Sequence, residues 1–99
     1  MDSIAMNYLS KITIEKHEEE KFKEFEAQIP SIIERLYRTA LIMTRNPREA
    51  EKLIQDTFSN AWQEYQRHEA TINFNLWLSR TLLSTFIDDH EGKIRVDLI

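Results

Sequence analysis

Ala50, Leu53, Ile54, Thr57, Phe58, Ala61, Trp62 and Tyr65 recur at steps of three and four along the middle of the chain. That spacing gathers side chains on one face of an α-helix. The intervening residues Glu51, Lys52, Gln55, Asp56, Ser59, Asn60 and Gln63 then form an opposite, polar face. Asn46 is placed to cap this helix, Pro47 takes a first helical position where a missing N–H costs nothing, and Glu49 stands three residues after the cap. A helix of similar character precedes it, from about Ser31 to Arg45, with Ile32, Ile33, Leu36, Tyr37, Ala40 and Leu41 on its apolar side. Another follows, opening at the capping residue Asn73 and setting Phe74, Trp77, Leu78, Thr81, Leu82, Thr85 and Phe86 on one side. Helices of this length are not stable alone in water, so the three stripes must bury one another. The pattern predicts an all-α fold, a small bundle of three to four helices.

The flanks are less regular. Met1 to Ile14 mixes Ile, Met, Tyr and Leu without a clean period, which leaves a short helix, an extended arm and a disordered tail all open. From Glu15 to Ile29 a charged helix is expected, with Phe22, Phe25 and Ile29 as a narrow stripe laid along the bundle and Pro30 ending or kinking it. Gln66 to Ile72 reads as a short polar loop. After Asp88 the apolar period fades, Gly92 is a stop signal, and Lys93 to Ile99 alternates as a short strand or tail would. The expected organisation is therefore an N-terminal extension with a charged helix over residues 1–24, a helical domain over 25–90 and a C-terminal tail over 91–99.

Composition narrows this picture. Ninety-nine residues, 41% of them hydrophobic, suffice for one domain with one core. A single glycine and two prolines favour helices over a meander of strands. The chain has no cysteine, which removes disulfides and thiolate metal sites. No apolar run approaches the roughly twenty residues that span a bilayer, so no membrane partner is expected. The N-terminus lacks a basic segment followed by an apolar one, and a cytoplasmic location is expected.

Thirteen Lys and Arg against 17 Asp and Glu give a formal net charge of −4. Such a domain gets no help from its overall field in binding a nucleic acid, so any contact of that kind must be local. A protein partner with a basic surface fits the charge more easily.

Catalytic chemistry is sparse. His17, His68 and His90 are far apart and none has the spacing of a metal site. There is no glycine-rich phosphate loop, and no serine has a nucleophile-elbow context. Neither an enzyme nor a bound cofactor or metal is expected. Two constellations stand above this background. One is the polar face of the central helix, where Gln55 and Asp56 follow Glu51 and Lys52 by one turn; an ordinary solvated surface has the same spacing. The other gathers Tyr65, Phe74, Trp77, Arg80 and Ser84 around the last loop, where aromatic rings could stack on unpaired bases, each stack contributing about 1–3 kcal/mol. On periodicity Phe74, Trp77 and Trp62 fit the core better.

In order along the chain stand LYRTALIMTRNPREAE, LIQDTFSNAW, NFNLWLSR and FID. Together they resemble the second conserved region of bacterial RNA polymerase sigma factors, particularly the extracytoplasmic-function group, over Phe25 to Asp88. The resemblance implies a helical domain whose central helix docks on the β′ clamp of core polymerase, and whose following loop and helix recognise and help melt the minus-ten promoter element. It assigns Glu51, Lys52, Gln55, Asp56 and Asn60 to the polymerase surface, with Asp56 pairing with arginine. His68, Thr71, Asn73, Trp77, Arg80 and Ser84 are assigned to promoter DNA. The chain departs from the family at Lys52, where an acidic residue is usual. Leu83 and Ser84 replace the common Arg and Asn, and Asp89 to Gly92 replaces a basic run. No segment resembles the helix-turn-helix that reads the minus-thirty-five element. The alternative expectation is a sigma mimic that engages polymerase or an anti-sigma factor without reading a promoter.

Overall fold

The computed structural model describes residues 8–9, 12, 14–67 and 73–89, and these fold as α-helices around one core. A 3-10 turn over Lys16–Glu18 leads into α1 (Glu19–Ala27), followed by α2 (Ile33–Thr44), α3 (Pro47–Arg67) and α4 (Phe74–Asp89). No strand occurs among the described residues. The central helix α3 packs chiefly against α2 and α4, with α1 laid across it.

Each helix boundary has a local cause. Asn46 caps α3 through its side-chain oxygen, which accepts from the backbone N–H groups of Arg48 (2.9 Å) and Glu49 (3.2 Å). Asn73 does the same for α4, accepting from Leu76 N–H at 3.1 Å. The joint between α2 and α3 is tight because Arg45 adopts a left-handed conformation with φ 57°. Its N–H returns to the Leu41 carbonyl at 2.8 Å, closing α2 one residue earlier than the apolar period suggests.

The charged N-terminal helix is shorter than expected from Glu15 to Ile29. Its first turn is the 3-10 turn, held by Glu18 accepting from the Glu15 N–H at 3.1 Å. At its other end α1 stops at Ala27 and closes with tighter bonds, from the Gln28 N–H to the Phe25 carbonyl (3.2 Å) and from the Ile29 N–H to the Glu26 carbonyl (3.1 Å), ahead of Pro30, which steers Ile29 away from the helical region. A domain boundary drawn between residues 24 and 25 falls inside α1. Leu9, upstream of it, belongs to the same buried cluster as Phe25, Leu36, Phe58 and Leu78.

The supposed loop from Gln66 to Ile72 also begins later than expected. Gln66 and Arg67 are the last residues of α3. Lys21 supports that extra turn: its ammonium reaches the Gln66 carbonyl at 3.5 Å and lies 5.7 Å from the centroid of the Tyr65 ring. A cation at a helix C-terminus satisfies carbonyls that the helix leaves free. Residues 68–72 and 90–99, including the rest of that loop and the possible C-terminal strand, lie outside the described residues.

All eight residues of the central stripe, from Ala50 to Tyr65, are buried. Phe25 sits at the centre of an aromatic cluster, with ring centroids 5.4 Å from Trp62, 5.3 Å from Tyr65 and 5.7 Å from Phe74. Such tilted and edge-on pairs add to what burial alone contributes. Thr57, the one polar member of the stripe, satisfies its hydroxyl by donating to the Leu53 carbonyl at 2.7 Å. The result is a rigid inner side of α3, which fixes the direction in which its outer side faces.

Candidate functional site

Two outward surfaces follow from this packing. On α3 the residues opposite the core form a polar ridge: Lys52 is exposed, Gln55, Asp56 and Ser59 are half-buried, and Gln63 is exposed. Glu51 is exposed beside them. Among the described residues of α3 no large apolar side chain is exposed. Asn60 has a different position. Its amide donates to the Thr85 hydroxyl at 3.1 Å, so it ties the ridge to α4 along one edge.

The other edge of the ridge is bordered by the N-terminal segment. The Tyr8 ring lies 6.3 Å from that of Phe58, and Leu9 is only 5% exposed. Burial raises the Tyr8 phenol above its ordinary value, and the nearby charge of Glu51, then Tyr37, adds to the shift. Ile12, Glu15 and Glu18 stand across from Ser59, Trp62, Gln63 and Gln66, leaving a recess of about 400 Å³ between them. Ser59, Gln63 and Gln66 were absent from the sequence-derived site. A continuation of the 55, 59, 63 spacing by three residues to 66 was the signal that could have found them.

The second surface is on α4. Asn73, Trp77, Arg80 and Ser84 follow one another at steps of four, three and four, so one face of the helix carries them all. Asn73, Arg80 and Ser84 are exposed. Trp77 is half-buried, its ring 6.0 Å from Tyr65 and 5.6 Å from Phe74, so one side belongs to the aromatic cluster. Trp62 and Phe74 are buried. The Ser84 hydroxyl donates to the Thr81 carbonyl at 3.1 Å. Below this strip come exposed Asp88 and Asp89, and beside it the exposed Leu76, Leu83 and Ile87. His68 and Thr71 lie outside the described residues.

No cluster of three or more His, Cys, Asp and Glu able to hold a metal occurs among the described residues. No described helix is long and apolar enough to cross a membrane. The family model for sigma-70 region 2 matches residues 31–95, which takes in α2, α3 and α4 and leaves out α1 and the N-terminal segment. No solved structure matches the chain.

Proposed function

Because the chain belongs to the sigma-70 region 2 family, a non-catalytic domain of transcription initiation, we propose that it docks on the β′ clamp of core RNA polymerase through the outer face of α3. The observation that carries this reading is the division of α3, with eight residues buried on one side and a polar ridge on the other. A surface of that kind suits a polar, basic partner. In it Asp56 supplies a carboxylate for a guanidinium, and Gln55 offers both a donor and an acceptor. Lys52 is the exception, since it places a positive charge at one end of the ridge.

The same reading gives the strip of Asn73, Trp77, Arg80 and Ser84 to the non-template strand of the minus-ten element. Arg80 meets a phosphate, and the outward side of Trp77 meets a base. A second reading, a sigma mimic that engages polymerase or an anti-sigma factor without reading DNA, is favoured by Asp88 and Asp89 at the foot of that strip. Two exposed carboxylates repel phosphates in the place where a cation would attract them.

The decisive experiment measures retention of core polymerase and of a single-stranded minus-ten oligonucleotide. Asp56→Lys is expected to abolish core retention while helical circular dichroism stays unchanged; undiminished retention removes the docking assignment. With core present at low salt, where phosphate contacts are strongest, the native domain is expected to hold the oligonucleotide, and Arg80→Ala to release it. Core retention without any oligonucleotide binding selects the mimic.

A further inference from the structure

We propose that the recess beside α3 is a socket for an arginine side chain carried by the partner that docks there, an inference that rests on the docking reading. The recess joins two parts of the chain with different origins. Ser59, Trp62, Gln63 and Gln66 lie within the stretch matched by the family model, whereas Ile12, Glu15 and Glu18 lie outside it. Part of the lining therefore comes from outside the stretch that the family model matches. Ser59 and Gln63 belong to the same ridge as Gln55 and Asp56, so a partner lying along the ridge passes over the recess mouth.

The lining selects the occupant. Half-buried Ile12 provides apolar surface for an aliphatic stem, above the buried Trp62 at the floor of the recess. The Ser59 hydroxyl and the amide oxygens of Gln63 and Gln66 are acceptors, and Glu15 and Glu18 bring two carboxylates. Glu18 is held in place by the Glu15 N–H, at 3.1 Å on one carboxylate oxygen. Lys21 is committed to the Gln66 carbonyl and the Tyr65 ring, and the exposed His17 imidazole lies 3.6 Å from Glu15.

An anion entering such a site would be repelled, and a wholly apolar group would strip water from carboxylates without replacing it. A cation with a long stem satisfies both halves. Arginine fits better than lysine because its planar fork of donors serves several acceptors at once.

Binding of the full chain to purified core polymerase tests the socket. Replacing Glu15 and Glu18 together by glutamine keeps the local turn but removes both charges, and is expected to weaken binding about five- to ten-fold. A charge-matched control on α1, Glu24→Gln with Glu26→Gln, is expected to change it less than two-fold, and Asp56→Lys to abolish it. Equal effects of the two double variants, or no effect of the first while Asp56→Lys still abolishes binding, would overturn the socket and leave the docking face standing. Full binding by Asp56→Lys would instead remove the docking face, and the socket with it.

Discussion

The outer faces of α3 and α4 were made by different rules. On α3 polarity is cleanly divided, and the face turned away from the core holds no large apolar side chain. On α4 the inner residues Phe74, Leu78, Leu82 and Thr85 are buried, yet Leu76, Leu83 and Ile87 remain 55%, 52% and 44% exposed. A helix that is apolar on both sides asks for cover on both. The contrast teaches that burial in the core constrains only one side of each helix. What the other side carries is left open by the core, and in α3 it is polar.

Truncation on the two sides should break this comparison most visibly. Phe58→Ala, on the inner side of α3, is expected to cost about 3–5 kcal/mol, a large part of the roughly 5–15 kcal/mol that holds such a domain together. Leu83→Ala, on the outer side of α4, should stay within about 0.5 kcal/mol. Urea unfolding of the two variants measures the difference, and comparable losses would mean that Leu83 is covered in solution.

Leu83→Arg sharpens the comparison in another way. A cation placed three residues after Arg80 should strengthen retention of the single-stranded oligonucleotide by core and domain together, and steepen its salt dependence by about one phosphate contact. An unchanged salt slope would show that the strip does not face a phosphate backbone.

Asn60 links the two faces. Asn60→Ala removes its bond to Thr85 and is expected to cost about 1 kcal/mol, read as a lower urea midpoint. If core retention falls further than that loss of folded protein accounts for, Asn60 also contacts the partner directly.

The smallest effect concerns the border of the ridge. The Tyr8 phenol is neutral when protonated and its value is raised by burial. Its contribution to packing is therefore present below the ordinary tyrosine range and lost as pH climbs through the raised value. Absorbance at 295 nm should show one tyrosine ionising late, with the N-terminal segment loosening from Phe58 as it does. Tyr8→Phe should keep the segment in place at the same pH.

Much of this was legible along the chain. The stripe from Ala50 to Tyr65, the caps at Asn46 and Asn73 and the all-α class follow from local chemistry, in which spacing of 3.6 residues and a side-chain acceptor at a helix start act over a few residues. The polar ridge was legible for the same reason, as the complement of the stripe. Less visible were the ends of helices. The last turn of α3 is met by Lys21, 45 residues away from Gln66, and no local pattern reports so distant a cation.

By itself, then, the amino-acid order determined which residues face inward on α2, α3 and α4 and where α3 and α4 begin. Tertiary structure decided what stands beside those helices. It set Leu9 into the core, tied Asn60 to Thr85, and brought Ile12, Glu15 and Glu18 across from Trp62 to form the recess. The physical reason is the range of the forces concerned: helix periodicity and capping are settled within a turn or two, whereas packing joins residues whose separation along the chain leaves no trace in its local pattern.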